Sequence, residues 1–163
     1  MDLIANSLNN RYPRELAAQS DRDELTQIDL AVAYVSRMDE LFNLAERRDV
    51  PFNLYALADG EFPHIDVIRR FIESGRLSWR IFLTRAFFHP KIMWFRGVGA
   101  YIGSANLSDR AWVQNIECGV WIPQEELISM QWIGQLDLLF RMIAERSVAA
   151  TPDHLKALVQ LRK

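Results

Sequence analysis

The stretch at residues 88–106 reads FHPKIMWFRGVGAYIGSAN, and the fold is organised around it. Two apolar runs, residues 91–96 and 100–103, are separated by Gly97-Val98-Gly99, which is typical of a hairpin turn. Residues two apart in an extended strand point to the same face. The imidazole of His89 and the ammonium of Lys91 are therefore expected to project together from the first of two short strands.

The segment Gly103-Ser104-Ala105-Asn106 follows the second strand, and a helix is predicted to run from Asn106 to about residue 112. Glycine lets the backbone turn tightly and come close to a ligand. The free amides at the start of a helix favour an anion such as phosphate. The Ser104 hydroxyl and the Asn106 amide add hydrogen-bond donors. A plain turn with a Ser or Asn cap is the alternative reading of the same residues.

Glu117 lies in a predicted strand at residues 116–122, where a carboxylate within an apolar run needs a partner. Hydrogen-bonded to an imidazole, it would fix the tautomer of the ring and stabilise its cation. The alternative is a glutamate at a strand end that pairs with a surface arginine. The neighbouring Cys118 is predicted to be an inert core residue.

The rest of the chain predicts an α/β fold in which one sheet lies between helices. Nearly continuous apolar runs indicate strands covered on both faces, and helical spacing separates them. We expect an α/β/α sandwich with a mixed, largely parallel central sheet of about six to seven strands. Strands are predicted at residues 28–35, 52–57 and 77–83, and helices at residues 38–48 and 64–74.

The N-terminal end of the chain is expected to carry no chemistry, and the C-terminal end is expected to be helical. Residues 1–26 are polar and irregular, with a short helix near residues 14–19. A long helix is predicted at residues 124–146, and a last short helix follows Thr151, its expected cap. The whole chain, residues 1–163, is expected to form a single domain, with residues 124–163 as its C-terminal helical segment.

The composition is that of an ordinary globular protein: half of its 163 residues are hydrophobic, and its net charge is −2. The single cysteine allows no internal disulfide, so a reducing cytoplasm fits best. The N-terminus shows no signal-peptide pattern. No apolar run approaches the roughly 18 residues of a membrane helix, so we expect no membrane partner.

The charge distribution leaves two interpretations open. A net charge of −2 disfavours a broad, non-specific nucleic-acid binder. The basic residues between positions 69 and 96 nevertheless face a single acid, Glu73, and could receive an anionic substrate. Alternatively, they are solvated and balanced by acids that the fold brings close. These basic residues are Arg69, Arg70, Arg76, Arg80, Arg85, Lys91 and Arg96.

The joint spacing of these residues resembles the phospholipase D superfamily. The family motif is His-x-Lys, four residues, Asp, six residues, then Gly-Ser-x-Asn. Here every spacing agrees from His89 to Asn106, and one position departs, since Arg96 stands in the place of the Asp. The pair Asn115-x-Glu117 also resembles the compact nuclease branch, and residues 31–36 are similar to its early core strand.

The resemblance implies a role for each motif residue. His89 would be the nucleophile that forms a phosphohistidine, and a second His89 would protonate the leaving oxygen and activate water. Lys91 and Asn106 would hold the phosphate oxygens. Ser104 would sit beside the phosphate, and Glu117 would hydrogen-bond the far nitrogen of His89. Gly103, Arg85 and Arg96 are expected to contact the substrate. The family chemistry needs no metal or cofactor.

One motif supplies one histidine, so the resemblance implies a symmetric homodimer that shares one active site. His64 and His154 lack the companion residues of the motif and are predicted to be surface or capping histidines. Tryptophans such as Trp94, Trp112 or Trp121 could lie in the interface. Ordinary core packing is the alternative for each of them.

The leading hypothesis is a metal-independent nuclease or phosphodiesterase that cleaves nucleic acid, with DNA as the favoured substrate. Cleavage of phospholipids is a second enzymatic hypothesis. A catalytically silent, dimerising nucleic-acid-binding module is a third, and the departure at Arg96 is the feature that favours it. The chain leaves no room for a recognition domain, so either the protein cuts with little sequence preference or a separate subunit or domain chooses the target.

Overall fold

The computed structural model describes residues 1–5, 14–59, 62–84 and 87–161. Within those ranges the chain forms eight strands and seven helices. The strands are β1 (Asp2–Ala5), β2 (Gln27–Val32), β3 (Phe52–Leu57), β4 (Trp79–Thr84), β5 (Lys91–Arg96), β6 (Gly99–Gly103), β7 (Cys118–Pro123) and β8 (Ser147–Ala149). The helices are α1 (Arg14–Ser20), α2 (Asp39–Arg48), α3 (Ile65–Glu73), α4 (Asp109–Val113), α5 (Gln124–Ser129), α6 (Trp132–Glu145) and α7 (Pro152–Leu161).

The strands form one mixed sheet in the order β1-β7-β6-β5-β2-β3-β4-β8. Only β2–β3 and β3–β4 pair in parallel, and the other five neighbouring pairs are antiparallel. The expectation of an α/β fold is confirmed, but that of a largely parallel sheet of six to seven strands is wrong. A turn as short as Gly97-Val98 can join only antiparallel strands, so the central motif itself imposes the antiparallel half.

Helices cover both faces of the sheet, which gives the expected three layers. On one face, side chains such as Ile28 and Leu30 of β2 pack under α1, α2 and α3 in the larger core. On the other face, Ala31 of β2 and Trp94 of β5 pack under α5 and α6 in a smaller core. Alternate residues of each strand therefore serve opposite cores, as the pleat requires.

Both ends of the chain add an edge strand that the sequence did not predict. β1 pairs with β7, and β8 pairs with β4, so segments expected to be irregular or helical close the two sides of the sheet. The predicted helix at residues 124–146 is two helices. The break falls at Gln131, whose φ of 59° is incompatible with a continuous right-handed helix.

The helix predicted to begin at Asn106 begins at Asp109, where the Ser108 hydroxyl accepts a hydrogen bond from the Ala111 N–H at 3.3 Å. The chain stays extended until Leu107, because a bridge joins Leu107 to Val35. Asn106 therefore lies in an irregular segment before the helix. The free amides of a helix start do not belong to the Gly103–Asn106 segment.

Two of the three tryptophans considered for the interface, Trp94 and Trp121, pack in the core instead. Trp94 and Trp121 are 2% and 5% exposed, so neither is available to a partner chain. The side chain of Trp112 lies outside the described part of the chain. Cys118, predicted to be core, is exposed, because strand alternation buries its neighbour Glu117 instead.

Candidate active site

The motif residues meet along the edge of the sheet where β5 begins, β6 ends and β7 begins. They converge there because these three successive strands pair antiparallel. Ile92 lies opposite Ile102, so the start of β5 meets the end of β6. Gly103 lies opposite Gly119, so the end of β6 also meets the start of β7. Residues just before β5, just after β6 and just before β7 are thereby brought together, which places His89, Lys91, Ser104, Asn106 and Glu117 at the same edge.

His89 and Lys91 are in direct contact. The Lys91 Nζ lies 2.8 Å from His89 Nδ1 and 3.1 Å from Nε2, and it also donates to the His89 main-chain oxygen at 3.1 Å. The imidazole is exposed, whereas Lys91 is only 8% exposed. Both groups can therefore contact a single small anion that approaches from solvent.

Burial lowers the pKa of Lys91 below the ordinary lysine value, and the nearby charge of Glu117 counteracts part of that shift. A cation withdrawn from water in this way interacts more strongly with an anion, because less solvent screens the attraction. Lys91 thus combines an ammonium withdrawn from water with direct contact to the exposed imidazole.

Asn106 is oriented by the chain that leaves β2. Its Oδ1 accepts a hydrogen bond from the Tyr34 N–H at 3.3 Å. With the oxygen engaged, the Nδ2 group is left as a donor of two hydrogen bonds, and within the described residues it contacts no other polar group. The side chain therefore offers donors, rather than an acceptor, to a bound anion.

Glu117 is 8% exposed and has partners other than the predicted His89. Its carboxylate accepts hydrogen bonds from the Ser104 hydroxyl and from Asn115 Nδ2, the latter at 3.0 Å. The Ser104 hydroxyl also accepts from the Cys118 N–H at 3.1 Å. Ser104 thus holds the buried carboxylate in place. The sequence pair Asn115-x-Glu117 forms one unit, and its charge acts on Lys91.

Gly103 is required by the packing beneath it. A Cβ at this position would lie 2.3 Å from the Tyr101 hydroxyl oxygen and 2.7 Å from the Cys118 carbonyl oxygen, closer than atoms can approach. The cross-strand partner Gly119 is equally closed by the Tyr101 ring, at 2.5 Å. Glycine at position 103 therefore leaves the space that the Tyr101 side chain occupies between β6 and β7. Ser104 follows directly at the end of β6.

Arg96 does not join the other motif residues. It lies at the opposite end of β5 and on the other face, where its Nε donates to the buried Asp29 and its Nη1 to Asp137 at 2.7 Å. Its guanidinium stacks over Trp94, 3.7 Å from the ring centroid. The position that departs from the family motif is thus a structural ion-pair centre. Arg85, also predicted to bind substrate, lies outside the described residues.

Several basic residues between positions 69 and 96 form ion pairs with acidic residues that the fold brings close. This agrees with the interpretation that these charges are balanced on the surface. Arg69 pairs with Asp66, Arg70 with Asp39 and Glu46, and Arg76 with Asp49. These pairs belong to the surface of α2 and α3, so they form no basic path into the site.

Tyr34 is a site residue that the sequence did not single out. Its ring meets the His89 ring edge to face, with centroids 6.1 Å apart, and meets Phe62 in the same manner at 5.2 Å. The tyrosine therefore contacts the imidazole with its ring and Asn106 with its backbone. An aromatic residue near the end of the apolar run at residues 28–35 was the available sequence signal.

The remaining histidines lie at helix starts, away from the motif: His64 is a cap, and His154 lies in the first turn of α7. The His64 Nδ1 accepts from the Asp66 N–H at the start of α3, and His154 contacts Thr151 before α7. In the described ranges no three His, Cys, Asp or Glu side chains gather into a metal-binding group. None of the described helices is long and apolar enough to cross a bilayer.

A family model described as "Cardiolipin synthase, PLD-like domain" matches residues 25–133, well over half of the chain. The chain belongs to the phospholipase D-like family. The resemblance inferred from the motif spacing is therefore confirmed. The match spans every residue of the site described above, from Tyr34 to Glu117. A search of curated proteins finds no match.

Solved structures of this phospholipase D-like fold resemble the chain over most of its length. Nuc of Salmonella typhimurium, a phospholipase D family member, has a TM-score of 0.69 at 16% identity, covering 92% of this chain and 97% of its own. NucT of Helicobacter pylori has a TM-score of 0.71 at 13% identity, covering 91% and 98%. The archaeal chromatin protein TrmBL2 has a TM-score of 0.63 at 14% identity, covering 91% and 52%. At these identities the likeness establishes the shared fold.

Proposed function

We propose that this protein is a metal-independent phosphodiesterase that cleaves nucleic acid, with DNA as its substrate, through a covalent phosphohistidine at a site shared by two copies of the chain. The contact between the exposed His89 imidazole and the desolvated Lys91 ammonium carries the proposal. It joins a nucleophile to a cation within the reach of one phosphate, and Asn106 adds its amide donors from the same edge of the sheet.

In the first step a ring nitrogen of His89 attacks phosphorus. A P–N bond forms as the P–O bond to the leaving group breaks, and the negative charge builds on the non-bridging oxygens. Lys91 and the Nδ2 of Asn106 stabilise that charge, since both present hydrogen-bond donors before the substrate arrives. The leaving oxygen takes its proton from the partner's His89, acting as the general acid.

In the second step water completes the hydrolysis. The partner's His89, now neutral, removes a proton from water while the water oxygen attacks phosphorus. The P–N bond breaks, and the electron pair returns to the His89 nitrogen. Glu117, held by Ser104 and Asn115, keeps Lys91 charged through both steps, because its negative charge opposes the effect of burial.

The need for a proton donor supports the homodimer. The chain has three histidines, and two of them, His64 and His154, contact the starts of helices. An isolated chain therefore offers one imidazole to the phosphate. A two-fold axis beside His89 would supply the second and would give one site for two chains.

Nucleic acid is favoured over lipid by the similarity to Nuc and NucT, which covers nearly the full length of both proteins. The similarity to the DNA-binding TrmBL2 is the basis for a second candidate, a silent nucleic-acid-binding module. The intact set of His89, Lys91 and Asn106 favours the enzyme. We further propose that the protein acts in the cytoplasm and that a separate subunit or domain directs it to its target.

The decisive experiment incubates the purified protein with single-stranded DNA, duplex DNA and RNA, each in excess EDTA. We expect DNA cleavage to persist in EDTA. His89→Ala should abolish cleavage with an unchanged circular dichroism spectrum, whereas the matched control His154→Ala should remain active. Loss of cleavage in EDTA would overturn the phosphohistidine mechanism, and hydrolysis of phospholipid vesicles without DNA cleavage would assign the site to lipids.

A further inference from the structure

We propose that the exposed apolar side of helix α6, together with the groove beside it, is the surface on which a second copy of this chain binds. The inference rests on the proposed function, because a shared site requires the partner. It assigns the interface to specific residues, whereas Trp94 and Trp121, two of the tryptophans considered for it from the sequence, lie in the core.

The apolar surface of helix α6 extends beyond the side of the helix that packs against the sheet. Leu136, Phe140 and Ile143 are buried against the sheet. Leu138, Leu139 and Met142, on the adjacent flank of the helix, are 56%, 37% and 44% exposed. A surface helix ordinarily presents polar residues away from its core. A run of large apolar side chains on the outer flank marks a binding surface.

A groove of about 320 Å³ runs between this flank and the sheet. The cross-strand pair Ile92 and Ile102 and the helix residues Trp132, Gln135, Leu136 and Leu139 line it. Ile92 follows Lys91 in the chain, and Ile102 precedes Gly103. The groove therefore borders the edge of the sheet where the candidate active site lies.

Two further exposed apolar residues flank the site itself. Phe87, two residues before His89, is fully exposed, and Ile116, next to Glu117, is 85% exposed. Large apolar side chains in these positions would contact a partner that covers the site. They lie at the same sheet edge as the groove, so one partner could cover both.

A second copy of the chain fits this surface better than an unrelated partner does. An interface on a two-fold axis pairs a patch with itself, and an apolar patch is complementary to itself whereas a charged patch is not. The 14-residue helix α6 is about 21 Å long, so with the groove it offers room for a standard interface of about 800 Å² per protomer. The same contact supplies the missing imidazole.

The test compares the oligomeric state and the activity of two charge-matched variants of the full chain. Leu138→Glu/Met142→Glu places two acids on the proposed surface. The control Leu77→Glu/Leu161→Glu places two acids on other exposed leucines, which are 93% and 81% exposed. Light scattering after size exclusion gives the mass, circular dichroism reports the fold, and cleavage of single-stranded DNA in EDTA reports activity.

We expect the wild type and the control to have twice the chain mass of 19.0 kDa and to be active. The α6 variant should be a folded monomer with at least 100-fold lower activity, about the loss that removal of a general acid causes. An α6 variant that remains dimeric and active refutes this surface but leaves the proposed function standing. If the wild type is dimeric but inactive and the α6 variant is monomeric, the result supports the proposed surface and refutes the proposed function. If the double variant fails to fold, Leu138→Glu alone, at the most exposed position, decides.

Discussion

The main-chain N–H of Tyr34 donates a hydrogen bond to the side-chain Oδ1 of Asn106, across 3.3 Å and 72 residues of sequence. This bond fixes which end of the amide faces the site, since the oxygen is engaged and the Nδ2 donors are left for substrate. The segment that follows β2, a strand in the centre of the sheet, thereby determines which donors the last residue of the motif can offer.

Asn106→Asp tests this orientation. The carboxylate can still accept the Tyr34 hydrogen bond, but its second oxygen would face the phosphate and repel it. We expect kcat to fall about 100- to 1000-fold, the usual cost of one lost donor to a developing charge. Gln114→Glu is the control, since it adds the same charge at an exposed position nearby. Equal activity of both variants would remove Asn106 from phosphate binding.

The pH dependence of cleavage follows from Lys91. The site needs the protonated ammonium, and burial lowers the pKa of Lys91, so activity should decline with rising pH before a free lysine would lose its proton. Glu117 raises that pKa, so Glu117→Gln, which keeps the hydrogen-bonding shape, should move the alkaline decline to lower pH. Lys91→Arg, which stays charged, should move it to higher pH.

The measurement is the pH profile of kcat on single-stranded DNA for the three proteins. Glu125→Gln, an exposed acid on α5, serves as the control for the loss of one negative charge. An alkaline decline at the same pH in Glu117→Gln and in the wild type would show that Glu117 does not act on Lys91.

The Tyr34 ring is expected to position His89. The two rings meet edge to face at 6.1 Å, and no hydrogen bond from the tyrosine hydroxyl is needed for that contact. Tyr34→Phe should therefore keep near-wild-type kcat, while Tyr34→Ala should lower kcat about 10-fold, since even a small misplacement of a nucleophile is costly. A loss confined to KM, or a loss equal in the Phe variant, would assign the ring to substrate binding instead.

Arg96→Ala is expected to destabilise the fold while leaving the catalytic chemistry intact. Asp29 is 2% exposed, and removal of its arginine leaves a buried carboxylate that, among the described residues, keeps hydrogen bonds from Gln27 and Asn53 alone. We expect a loss of about 3 kcal/mol in the free energy of unfolding, measured by urea denaturation. Asp29→Asn in the same chain should restore part of it, because it removes the unpaired charge.

The activity of Arg96→Ala, measured well below its unfolding midpoint, distinguishes the structural role of Arg96 from substrate binding. Normal kcat and KM agree with an ion-pair centre at the far end of β5. A raised KM in a fully folded variant would show instead that Arg96 contributes to substrate binding.

Local sequence was sufficient wherever neighbouring residues decide the structure. The turn at Gly97-Val98 folds β5 back on β6, and the convergence of His89, Lys91 and Ser104 follows from that turn. The caps of Thr151 and His64 are also local, since each holds an amide within three residues. Sequence failed at β1 and β8, whose short segments become strands only because a sheet edge is present to pair with them.

The sequence by itself determined the family, the α/β class and the set of groups that meet at the candidate site, because fixed spacing on antiparallel strands places those groups regardless of the remaining packing. Only the tertiary structure decided what each group does. In that structure Glu117 accepts hydrogen bonds from Ser104 and Asn115, Tyr34 contacts His89, and Arg96 pairs with Asp29. Apart from Asn115, which is two residues from Glu117, these partners are far apart in the chain, and hydrogen bonds, burial and charge select among them only after the sheet has formed.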